Sequence, residues 1–440
     1  LDRGNMGMDR KMISAASSIA DRLLKTWNSS LSLGETAELT EYMQEAKENR
    51  LFMMSQPDGI YHGSRYFFNN DDMIRKTPDY YFMINMASSR VDGLESSCMG
   101  AANFNFYSCD GVTLLQRQGN EYAKAIGAFN LTSWPGVTTR QTPETLKPIV
   151  NWSGYCSCYN FAAGATSGSD FAAGFIYQKF NAQMKPGRKV NLVDLNPSIF
   201  DVIAYNSWFM FGNTVLALGA GITNQKPEFA GDIWTTVDQT SLAADSKTVS
   251  ASGIDWQINN GFAYAILPQY TVGTPILKKE TRMSKWKELS KENKGDEYNI
   301  DVFEMAINHG HDVKDATYAY VIDCDGKTDK PMPRILSNTT ALQAAGSPSG
   351  NSVGAVFFDE KAELKTDKGN FKVSAPCALL IEYDDGSGLA KITVTDAKMD
   401  IKLSQITVAT PFVGNVAVNI KLPVEPFRGK PASAVISYRK

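Results

Sequence analysis

The chain has 440 residues, 43% hydrophobic and 21% charged, with a formal net charge of −3. That length exceeds one ordinary hydrophobic core, so two or more domains are expected, and the composition is that of an ordinary globular protein. So small a net charge supplies no global field for a polyanion; this argues against nucleic acid and leaves any acidic partner to a local cluster of Arg, Lys and Asn.

No apolar run reaches the roughly eighteen residues of a membrane span. The chain opens with Leu-Asp-Arg-Gly rather than a charged and apolar leader. A start without Met reads as a processed or excised piece.

Residues 12–51 read as helices, because Ile13, Ala16, Ile19, Ala20, Leu23 and Leu24 recur on one helical face. A break at 28–34 precedes a second helix over 35–48, with Gly34 and Thr36 as its start. Two such helices cannot close a domain and read as the tail of a larger helical array.

From Phe52 the pattern turns to short aromatic and β-branched runs at 63–68, 80–86, 215–219, 262–267 and 318–322, punctuated by Gly, Asn and Asp. Many such strands predict a large antiparallel sandwich. The charged stretch 278–297 interleaves acids with bases and reads as a solvated excursion between strands. Residues 160–170 are rich in Gly and Ser but lack the Gly-Lys-Ser ending of a phosphate loop. Beyond a linker-like cluster at 326–333, strands over 379–383 and 390–394 flank Asp384-Asp-Gly-Ser-Gly, a hairpin signal because Asp-Gly accepts positive backbone angles. Strands over 401–408 and 416–422 complete a small C-terminal β domain.

Six cysteines, Cys98, Cys109, Cys156, Cys158, Cys324 and Cys377, are too few and scattered to staple the fold. Cys156-Ser-Cys158 has the wrong spacing for a zinc or redox motif. They read as small buried side chains, with one bridge open between Cys98 and Cys109. The three histidines are His62, His309 and His311; His309 falls in an apparent Asn-His-Gly turn and His62 precedes a strand, so structural roles are expected.

Residues 78–139 join aromatic strands to Ser88-Ser89-Arg90, Glu95-Ser96-Ser97-Cys98, an Asp110-Gly111 turn and Trp134-Pro135-Gly136-Val137-Thr138-Thr139, in that order. Later come Ser207-Trp208-Phe209-Met210-Phe211 with Leu218-Gly219-Ala220-Gly221-Ile222, then Asn308-His309-Gly310 with Tyr318-Ala319-Tyr320. Across residues 1–322 this ordered set resembles polysaccharide lyase family 8, the hyaluronate, chondroitin AC and xanthan lyases.

The resemblance implies a mainly β fold. Residues 1–51 would be remnant helices ending an α/α toroid, 52–325 a large antiparallel β-supersandwich, and 326–440 a small C-terminal β-sandwich. It also implies β-elimination on a uronic-acid-containing glycan, without a cofactor or metal, by a protein secreted to the extracellular space or periplasm, where polymeric glycans lie. The family's proton-handling Tyr, His and Asn belong to the toroid, so a preceding helical domain or a separate chain would complete the cleft. In this sequence Glu95 matches the family's acid and Arg10 its opening arginine frame, both as catalytic groups. Arg90, Cys98, Asn103 and Trp134 are the substrate-binding candidates, with Trp134 offering a face to a sugar ring. Cys98 stands where the family has Asn, and a thiol cannot replace a carboxamide's two donors and one acceptor. The competing expectation is a noncatalytic glycan-binding or structural protein on the same fold.

Overall fold

The computed structural model describes residues 10–37, 39–40, 42–44, 62–93, 106–142, 154–188, 197–286 and 297–439. The helix Arg10–Thr26 follows the apolar spacing. Helical structure resumes at Leu33, earlier than Gly34 and Thr36 suggested. Ser32 and Glu35 form a capping box there: the Ser32 hydroxyl lies 3.2 Å from the Glu35 amide, and the Glu35 carboxylate accepts from the Ser32 amide at 2.8 Å.

Four β layers follow. At the centre lies an eight-stranded antiparallel sheet that includes Phe171–Tyr177, Val202–Phe211, Thr214–Asn224, Phe262–Ile266 and Ala316–Asp323. Alternation sends Val202, Ala204, Trp208 and Met210 to one face, and Phe209 and Phe211 to the other. The first face is covered by two four-stranded sheets, through Met73, Phe82 and Ile84 of one and Ile233, Phe303 and Ile307 of the other. The second packs on a six-stranded C-terminal sheet through Val356, Ala378 and Leu380. That sheet in turn closes over a last four-stranded sheet carrying Phe371, Val373, Ile406 and Val408.

Because the central strands are apolar on both faces, Phe171–Tyr177 is buried at every position. Each fully buried ring, such as Phe209, contributes about 2–3 kcal/mol. Gly219 pairs with Tyr318, and a Cβ at Gly219 would stand 2.0 Å from the tyrosine ring. Any side chain there would push apart two central strands.

Four local expectations change. The charged stretch begins as an edge strand, Thr274–Ser284, paired along its length with Tyr298–Gly310; solvent on both faces admits Lys, Glu and Arg, and charge protects an open edge. Asn308-His309-Gly310 ends that second strand instead of forming a separate turn. Of 401–408, only the part within Gln405–Ala409 is strand, because the Arg428 guanidinium captures the carbonyls of Asp400 and Leu403 in a turn. In the hairpin between Cys377–Asp384 and Leu389–Asp396, the positive φ of 69° falls on Gly388, while the Asp384 carboxylate accepts from the Gly386 amide at 2.9 Å.

Cys109 is a free thiol, and Cys98, the other half of the bridge left open, lies outside the described residues. Cys156, Cys324 and Cys377 are buried as expected, but Cys158 is exposed.

Candidate active site

Asp71 sits in the turn between Gly63–Phe67 and Asp72–Lys76 with a φ of 57°. Its fully buried carboxylate accepts from the Ser88 hydroxyl at 2.5 Å, the Tyr66 hydroxyl at 3.1 Å and the Arg90 guanidinium at 2.8 Å. Burial pushes this carboxyl above its ordinary range, and Arg90 opposes the shift. Arg90 also donates to the Asn160 side chain at 2.7 Å and to the Ala397 carbonyl at 3.0 Å. Its guanidinium therefore ties the chain before residue 94 to both β domains.

Two residues further on, Asp92 pairs with Lys185 and, at 2.5 Å, with Arg188. The Gly93 amide donates to the Tyr155 carbonyl at 2.6 Å. A Cβ on Gly93 would lie 2.7 Å from that of Cys109, so the two ends of the 94–105 segment are in contact.

The returning end is held by Lys179. Its ammonium donates to the Phe106 carbonyl at 2.6 Å and pairs with Asp110 at 2.5 Å. The rings of Tyr107, Tyr155 and Tyr177 surround it, with centroids 5.1, 4.7 and 5.8 Å away. A buried ammonium is tolerable only with such a full set of partners. A third buried pair, Arg140 with Asp201, is completed by the Asn224 side chain at 2.6 Å and the Phe229 carbonyl at 2.7 Å.

The Lys179 and Arg140 pairs lie beside one set of rings. Phe106, Tyr107, Trp134, Val137, Tyr155 and Ile199 form one apolar cluster, and these residues flank the segments 94–105, 143–153 and 189–196. All three segments therefore leave and rejoin the β scaffold around a single aromatic root.

Among the proposed site residues, Glu95, Cys98 and Asn103 lie outside the described residues, as does the Arg10 side chain. The structure places Trp134 in the root, whereas Arg90 meets Asp71, Asn160 and the Ala397 carbonyl where the two β domains join. Trp134 is 6% exposed and packs edge-on to Phe129 at 5.8 Å, surroundings of a residue packed beneath a loop. Sequence reading missed Lys179 and Asp71. Lys179 follows Tyr177 at inward strand parity, an available signal, whereas nothing local marks Asp71 as buried.

His309 is buried, with Nε2 2.9 Å from the Thr235 hydroxyl and Nδ1 2.6 Å from the Val272 carbonyl. Burial lowers its pKa to about 4, so it is neutral near pH 7 and both ring nitrogens are engaged. Among the described residues no helix is long and apolar enough to cross a membrane, and no group of three or more His, Cys, Asp and Glu could hold a metal ion.

The described residues thus form a large supersandwich stacked on a smaller β-sandwich. The family model for the polysaccharide lyase family 8 super-sandwich domain matches residues 62–330, and that for the family's C-terminal beta-sandwich domain matches 334–405. Chondroitinase-AC of Pedobacter heparinus is 25% identical over 394 residues, covering 82% of this chain and 50% of its own. Hyaluronate lyase of Thermasporomyces composti is 26% identical over 391 residues, covering 82% and 45%. In fold, the structure of chondroitinase AC lyase with oligosaccharides superposes with a TM-score of 0.71 at 22% identity, over 95% of this chain and 60% of that one. Paenibacillus xanthan lyase gives 0.67 at 16% identity, over 97% and 44%.

The chain belongs to polysaccharide lyase family 8, and the mainly β expectation is met. It spans about half the length of the curated relatives it matches.

Proposed function

We propose that this chain is the β portion of a lyase that cleaves a uronic-acid-containing glycan by β-elimination, with a helical domain or companion chain completing the cleft. The observation that carries the reading is the set of ion pairs at the two ends of the segment bearing Glu95, Cys98 and Asn103: Arg90 with Asp71 and the half-buried Asp92 with Lys185 before it, and the fully buried Lys179 with Asp110 after it. A catalytic group needs a fixed scaffold at the points where its segment leaves and rejoins the fold.

In β-elimination a base takes the proton beside the uronate carboxylate, and the glycosidic oxygen leaves the neighbouring carbon. That proton becomes acidic enough only when donors neutralise the carboxylate. We assign carboxylate neutralisation and proton transfer to Asn, His and Tyr of the helical part. Glu95 completes the constellation from this chain, Asn103 offers an amide at the rim, and Arg10 belongs to the helical side. Arg90 supports the scaffold through Asp71, Asn160 and Ala397, and Trp134 packs in the aromatic cluster. Lys185 and Arg188, at the root, give the local positive charge that an acidic polysaccharide requires. On this reading the protein works where polymeric glycans lie, outside the cytoplasm.

Cys98 favours a second reading, a noncatalytic glycan-binding protein. Incubating the protein together with its helical part with hyaluronan, chondroitin, xanthan and alginate separates the two. A rise in the ultraviolet band of unsaturated uronates supports elimination; glycan binding without that rise supports the second reading.

A further inference from the structure

The C-terminal sandwich carries a cavity of about 210 Å³ that shares no residue with the aromatic root. Its apolar side is formed by Leu336, Val353 and Tyr383. The Tyr383 ring packs edge-on against Tyr438 at 5.1 Å, and the Lys368 ammonium lies 4.5 Å from its centroid. Tyr383 is only 6% exposed, yet its hydroxyl has no hydrogen-bond partner. Phenylalanine would fill the same space without a stranded polar atom, so packing does not account for the hydroxyl.

The polar side is balanced in charge. Arg334 pairs with Asp367 at 2.5 Å, and Lys368 lies 4.0 Å from Asp385. Asn351, in the turn beside them, adds an amide. Paired donors and acceptors beside an apolar and aromatic wall match a sugar ring, whose hydroxyls both give and accept hydrogen bonds while its C–H face is apolar. The volume is below the ~300–1,000 Å³ of sites for drug-sized ligands, which limits the occupant to about one ring.

We propose that this pocket binds one neutral sugar unit, a hexose or N-acetylhexosamine, independently of glycan cleavage. Lys368 covers the Tyr383 ring and is the side chain that yields on entry, giving the hydroxyl its partner.

The test is saturation-transfer NMR on the whole chain with N-acetylglucosamine, N-acetylgalactosamine, glucose and glucuronate as separate probes. Transfer to a neutral sugar is expected, weakened about fivefold by Tyr383→Phe and by Asn351→Ala, as for loss of one hydrogen bond each. Tyr383→Phe should melt no lower than the parent, which separates lost binding from lost folding. Absence of transfer to all three neutral sugars, unchanged transfer in both variants, or stronger binding of glucuronate would each overturn the proposal. None of these outcomes depends on an ultraviolet signal from elimination.

Discussion

Lys179 and Asp110 meet at 2.5 Å with both side chains buried, directly beneath the residue that closes the 94–105 segment. The pair links a central-sheet extension to the candidate active site. Burial raises the Asp110 carboxyl, and Lys179 is the charge that opposes the shift.

Removing one partner strands the other in an apolar surround. Lys179→Met is therefore expected to cost about 3–5 kcal/mol, with much of the loss recovered when Asp110→Asn is added. Urea unfolding of the four members of the cycle measures it. Simple additivity of the two losses would show that the pair is not the unit described.

Gly93 and Cys109 touch across the root of the same segment. Gly93→Ala is expected to cost about 1–3 kcal/mol, because its Cβ would meet that of Cys109 at 2.7 Å. Cys109→Gly should restore part of that stability, though the Tyr155 carbonyl at 3.0 Å remains close. Thermal melts of the single and double variants test the contact, and absence of any recovery would contradict it.

Much of this arrangement was legible in the sequence. Alternating aromatic runs located Tyr81–Asn85, Thr214–Asn224 and Ala316–Asp323, because a strand buried on one or both faces must carry apolar residues at fixed parity. The order of Arg90, Glu95 and Trp134 pointed to the region where the buried pairs gather. The partners Asp71 and Asp201 were not legible, since each meets its arginine only through long-range packing. For Trp134 the sequence left two readings, a face for a sugar ring and a ring packed under the Pro-Gly loop, and the positions of Phe129 and Tyr155 show the packing.

Asp238 provides a pH test. Its buried carboxyl accepts from the Tyr122 hydroxyl at 3.1 Å and the Tyr264 hydroxyl at 2.7 Å, and burial pushes it up to about 6. An unfolded aspartate titrates near ~3.9, so the fold favours the protonated form. That stability is fully present below about pH 4 and lost as pH rises through about 6, a change of about 2–3 kcal/mol. Unfolding free energies of Asp238→Asn minus the parent should rise by that amount between these limits. A difference independent of pH would contradict the assignment.

At the proposed cleft, Glu95→Gln is expected to lower turnover about 10²–10⁴-fold while leaving the melting temperature unchanged. Turnover equal to the parent's would remove Glu95 from the chemistry.

Mass spectrometry of the glycan products, formed in ¹⁸O-labelled water by the protein with its helical part, tests elimination most directly. Elimination predicts fragments ending in an unsaturated uronate, one water lighter than hydrolysis fragments and carrying no solvent label at that unsaturated end. Labelled, saturated ends, or a glycan left intact, would contradict it.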